Sequence, residues 1–140
     1  MSVHGSKKMI ACFEIATGLG ILVFWILFFS VGLAPAHPPP GYFAFEHSFV
    51  LADSMLAVSL LAAGSLGLKG RPIGRILSFM CAGGLIFLGL VDFSFNVRNG
   101  IYIGDFPDGV VAAAINIWCV SFGTATAVAL GPIRTPQARP

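Results

Sequence analysis

Four stretches of this chain are each long and apolar enough to cross a lipid bilayer, and the segments between them are too short to fold alone. Met9–Leu33, Ser48–Leu68, Ile73–Phe95 and Gly109–Leu130 hold 25, 21, 23 and 22 residues. A spanning helix needs about 20 mostly apolar residues. In hydrocarbon every backbone N–H and C=O must find a partner inside the structure, so such runs are helices or strands of a closed barrel. Barrel strands take about 10 residues of alternating polarity, which these runs do not show. The sequence therefore predicts one domain over residues 1–140. Its fold class is all-α, an antiparallel four-helix transmembrane bundle.

Composition agrees. The chain is 56% hydrophobic and 10% charged, with a mean hydropathy of +0.89. Soluble domains carry about 25% charged residues. Disorder and nucleic-acid binding need charge that is missing here, and a net +2 implies no anionic partner. The basic residues predict orientation, because Lys and Arg concentrate on the cytoplasmic side. Lys7, Lys8, Lys69, Arg71, Arg75, Arg134 and Arg139 all fall on one side of a four-span chain, and Arg98 alone falls opposite. Both termini are expected in the cytoplasm, with Ala34–His47 and Asn96–Asp108 outside. The expected location is the cell inner (plasma) membrane. Ala34-Pro35-Ala36 loosely resembles a signal-peptide cleavage site, but the apolar stretch before it is longer than such peptides carry and contains Glu14. An uncleaved first span is the expectation.

Local signals punctuate the spans. Pro38-Pro39-Pro40 favours extended polyproline II backbone, and Tyr42, Phe43 and Phe45 suit an outer aromatic belt. Gly70-Arg71-Pro72 predicts a tight turn pairing spans two and three. Asn99-Gly100 is a turn signal, Asp105 or Asp108 suits the cap of the fourth helix with Pro107 at its start, and the tail from Pro132 to Pro140 is expected to be loose. Cys12, Cys81 and Cys119 lie within spans without a Cys-x-x-Cys pair and read as small apolar residues. Small residues recur along the second span (Ser59, Ala63, Gly67), the third (Gly83, Gly84, Gly89) and the fourth (Gly109, Ala112, Ala113, Gly123, Ala127). Such residues let helix backbones approach where lipid supplies no hydrophobic drive. Packing within the bundle is the expected use, and docking of a partner helix is the alternative.

Ionisable residues inside a membrane are costly and are functional candidates by default. Glu14, Asp53 and Asp92 qualify, with Asn96 and Asn116 beside them. At 1.5 Å rise per residue, Asp92 lies about 6 Å inside the outer boundary and Asp53 and Asn116 about 10 Å inside it. Helical spacing puts Glu46, Val50, Asp53 and Ala57 on one face of the second span. It does the same for Ser78, Ala82, Leu85, Gly89, Asp92 and Asn96 on the third, and for Ala112, Asn116, Val120 and Gly123 on the fourth. Turned inward, these stripes predict an outward-opening polar pocket lined by Glu46, His47, Asp53, Asp92, Asn96 and Asn116. Carboxylates held close disfavour simultaneous ionisation, which suits proton exchange, a bound cation or an amine-bearing ligand. The competing expectation is purely structural: Asp92 and Asn96 fixing span packing, and Asp53 bonding Asn116. His47 by itself reads more readily as an interfacial residue. Glu14 lies about 7 Å inside the inner boundary and is either a proton site or a partner of Lys7, Lys8 or Arg75. Small four-span multidrug exporters also carry a glutamate in the first span, but the residues around Glu14 do not match their pattern.

No nucleophile set, metal-ligand set or cofactor motif emerges, so no catalytic residue, no metal and no cofactor is assigned. An enzyme acting on a lipid-soluble substrate is the last of three readings for that reason, and two others stand ahead of it. One is a small membrane protein that binds a ligand or cation, with proton-coupled transport as its extension. The other is a non-catalytic accessory subunit of a larger membrane complex. Expected partners are the bilayer and either a second copy or a partner membrane subunit, with no nucleic acid.

Overall fold

The computed structural model describes residues 3–104 and 108–131. Four long helices follow one another: α1 (Val3–Val31), α2 (Tyr42–Leu68), α3 (Pro72–Arg98) and α4 (Asp108–Leu130), with a short 3-10 turn, η1 (Ile101–Ile103), between the last two. Each long helix contains a segment long and apolar enough to cross a membrane. Helix surfaces such as Ile26, Leu51, Met80 and Ile117 are apolar and exposed.

The ends of the helices have local causes. Gly32, at φ +72°, follows α1, where a left-handed glycine terminates a helix without steric cost. Gly70, at φ +67°, ends α2: its N–H bonds Gly67 O and that of Arg71 bonds Leu66 O. Those two bonds satisfy carbonyls the helix leaves orphaned. Pro72 then opens α3 at the position where its missing N–H is harmless. α2 starts at Tyr42, six residues before the apolar run at Ser48. The left-handed Gly41 precedes it, and Phe45 N–H bonds Gly41 O. The aromatic run and Glu46-His47 are thus helical rather than loop. The cap and tail expectations at Asp105, Pro107 and 132–140, including Arg134 and Arg139, lie outside the described residues.

Helices consecutive in the chain pack antiparallel, and glycines set how closely. A Cβ at Gly18 would lie 2.9 Å from Ala57 O, and one at Gly64 2.5 Å from Ala11 O, so α1 and α2 meet backbone to backbone. On the other side Gly89 faces Cys119 and Gly123 faces Ala82 O, drawing α3 to α4. This is the small-residue packing expected inside a bundle. It recruits Gly18 and Gly64, and leaves Gly83 with nothing nearby. The core between the pairs holds Leu60, Ala63, Cys81, Leu85 and Phe122. All three cysteines are free.

The fourth side of the bundle is different. α1 meets α4 through bulky groups: the Phe13 ring lies edge-on to Trp118 at 5.7 Å and to Phe122 at 6.0 Å. Trp118 Nε1 donates to Thr17 Oγ1 at 3.1 Å. Above this contact, toward the end holding the α1–α2 and α3–α4 connections (the upper end), the two helices part.

Candidate ligand cavity

The space between α1 and α4 is a cavity of about 800 Å³ reaching into the bundle. Pockets for small molecules typically span about 300–1,000 Å³. Five of the six residues expected to line a site are on its wall: Glu46, Asp53, Asp92, Asn96 and Asn116. They come from α2, α3 and α4, so the inward orientation read from helical spacing holds on all three helices.

His47 is not among them. It is exposed, and its ring stacks on Phe29 at 5.7 Å and 20° and stands edge-on to Phe28. It is one helical step, about 100°, from Glu46, which carries it off the cavity face.

Each carboxylate is held by a neutral donor. Trp25 Nε1 donates to Asp53 Oδ2 at 3.1 Å. Asn96 Nδ2 donates to Asp92 Oδ2 at 3.1 Å, and Asn116 is a further hydrogen-bond partner of Asp92. The Tyr42 hydroxyl serves Glu46 one turn along α2. The three carboxylates are close enough to feel one another's charge, and among the described residues no lysine or arginine lines the cavity. Neutral donors orient a carboxylate without cancelling its charge. Among the described residues no three His, Cys, Asp or Glu side chains are placed to share a metal ion. The cavity wall thus gathers three carboxyl groups from α2 and α3, each with a neutral hydrogen-bond partner.

Tyr102 ties the network together. From η1 its hydroxyl accepts from Asn116 Nδ2 at 2.5 Å and from Asn96 Nδ2 at 3.5 Å. Both amides are 3% exposed, and buried amides need partners. The expected Asp53–Asn116 bond is replaced: Asp53 pairs with Trp25, and Asn116 with Tyr102 and Asp92. Trp25, Tyr42 and Tyr102 are the hydrogen-bond partners of the polar cluster that sequence reasoning missed. The available signal was their amphipathic rings beside the polar stripes.

Glu14 stands apart from this group. It is 1% exposed, on α1 about 16 Å below Trp25 along the helix. Ser78 lies beside it with its own hydroxyl donating to Gly74 O, while Glu14 Oε1 has no partner among the described residues. Arg75, a candidate partner in sequence, reaches elsewhere: its guanidinium donates to Leu130 O and, at 2.6 Å, to Gly131 O at the end of α4.

Fold and cavity together define a class: a small all-α bundle of four helices, each able to cross a membrane, around a carboxylate-lined cavity. Within that class, the chain belongs to the family described as a domain of unknown function (DUF8058), whose model matches residues 4–104. That match spans α1, α2, α3 and η1. Comparison with curated proteins and with solved structures gave no match.

Proposed function

We propose that this is an integral protein of the cell inner membrane, with both termini cytoplasmic, that binds a small organic cation in an outward-facing intramembrane site. The observation that carries the reading is the cavity wall: three carboxylates held by neutral donors, with no cationic side chain among the lining residues. A cation entering there meets charge the protein itself leaves unbalanced, in surroundings where an ion pair is screened less than in water. An ammonium group suits it best, since its N–H donors match the free carboxylate lone pairs. The positive-inside distribution supports the orientation, and proton-coupled transport is the extension of this reading in which Glu14 carries the proton.

The test is binding of ethylammonium to the full chain in lipid nanodiscs, read by fluorescence. Both tryptophans of the chain border the site: Trp25 bonds Asp53 and Trp118 lines the cavity. A saturable spectral shift is expected with the native chain. It should be lost in the double variant Asp53→Asn, Asp92→Asn with helix content unchanged. Equal binding by that variant overturns the reading.

A further inference from the structure

The cavity opens sideways. Ala16 and Gly20 of α1 and Ala114 and Ile115 of α4 line it, and all four are exposed rather than covered by a neighbouring helix. An added Cβ at Gly20 meets nothing within 4 Å, so the wall there is open space. Gly20 is about 16 Å from the Val31 end of α1 and about 22 Å from its Gly5 end. For a helix crossing a bilayer that is hydrocarbon depth, where the neighbouring medium is lipid tails. Below the opening, Phe13, Thr17, Trp118 and Phe122 close the gap. The polar wall is at the upper, inner side and the apolar wall at the mouth.

A ligand that satisfies both walls has a cationic head and an apolar tail. We propose that the site takes an ammonium group borne on an apolar chain, admitted from the bilayer between α1 and α4, with the head among Glu46, Asp53 and Asp92 and the tail past Gly20 and Ala114. This rests on the cation-site reading and adds the class of ligand and the route. A hydrophilic amine would leave the apolar mouth empty. A neutral lipophile would leave the remaining carboxyl lone pairs without a donor, and buried polar groups short of partners are costly. The same chemistry has two sources, a free lipophilic amine and an ethanolamine lipid.

The experiment compares two primary amines with one head, ethylammonium and decylammonium, on the full chain in phosphatidylcholine nanodiscs. Gly20→Phe and Ala114→Phe each fill the mouth and leave the carboxylates in place; two positions on different helices guard against one misfolding. Each is expected to weaken decylammonium at least tenfold while leaving ethylammonium within about twofold. Because the native chain and the variants face the same lipid, partitioning of the tail cancels. Adding phosphatidylethanolamine separates the sources: competition with decylammonium assigns the lipid, and unchanged binding assigns the free amine. If the filled-mouth variants alter both amines equally or neither, the lateral route is overturned and the cation site stands. If neither amine binds the native chain, both readings fall. A partner helix found in the α1–α4 opening by cross-linking through position 20 also overturns the proposal.

Discussion

Gly64→Ala adds one methyl group at the tightest point between α1 and α2. Its Cβ would lie 2.5 Å from Ala11 O and 2.7 Å from Ile15 Cγ1, where ordinary contact starts at 3.4 Å. Ala11 O is backbone, so no rotamer change removes the overlap, and α1 must retreat by about 0.9 Å. A radial gap of about 0.5–1 Å forfeits roughly a quarter to a half of each dispersion well it opens. Gly18 shares that face about two turns away. Overpacking of this kind costs about 1–3 kcal/mol, or about 5- to 150-fold in the folding equilibrium. Gly83→Ala is the matched control. The same methyl meets nothing within 4 Å, and replacing a mid-helix glycine by alanine stabilises by about 0.5–1 kcal/mol. The two substitutions are chemically identical and opposite in sign. Reversible unfolding in mixed micelles, titrated with SDS and followed by helical circular dichroism, reads both. A Gly64→Ala variant as stable as Gly83→Ala would refute the backbone-to-backbone seam.

Three further outcomes follow from the hydrogen-bond network. Tyr102→Phe removes the acceptor shared by Asn96 and Asn116 and should cost about 1–3 kcal/mol, the penalty of leaving buried amides short of a partner; the same SDS titration measures it, and no change would mean the amides are satisfied elsewhere. Arg75→Ala releases Leu130 O and Gly131 O, so the last turn of α4 should exchange amide hydrogens faster while the middle of α3 is unaffected. Loss of a charged donor there is worth about 1.5–3 kcal/mol. Glu14→Gln keeps the shape of a side chain whose Oε1 has no partner among the described residues, and the buried amide it introduces should cost no more than about 1–2 kcal/mol. A loss above about 2 kcal/mol in the same titration would show that the carboxyl is a structural anchor.

The architecture was legible because apolar length is a strong signal: a helix that faces lipid is apolar nearly all round. Its ends were less legible. Tyr42-Phe43-Ala44-Phe45 has the composition of an interfacial belt, and only the left-handed Gly41 turns it into the first turn of α2. The inward polar stripes were readable because spacings of three and four fix a face on any helix. That argument placed Asp53, Asp92, Asn96 and Asn116 on the cavity. It stretched too far at His47, which adjoins Glu46 in sequence and points about 100° away. The donors were hidden for another reason. Trp25 and Tyr42 count as hydrophobic in any pattern, and Tyr102 sits in a connection where no period applies. The Arg75 contact joins residues 55 and 56 positions apart, a pairing no local pattern encodes.

The contact between Thr17 and Trp118 has a bearing on the order in which the bundle assembles. Every close seam, α1 with α2, α2 with α3, α3 with α4, joins neighbours in the chain, so each can form as soon as its second helix is made. Local contacts of that kind are the ones that form fastest. The Trp118–Thr17 hydrogen bond links residues 101 apart and must wait for α4. Until then Asp53 already has Trp25 and Asp92 has Asn96, while Asn116 and the outer wall are missing. The nascent chain thus carries its acidic residues with their first donors already in reach, and the chamber around them closes only once α4 has been made.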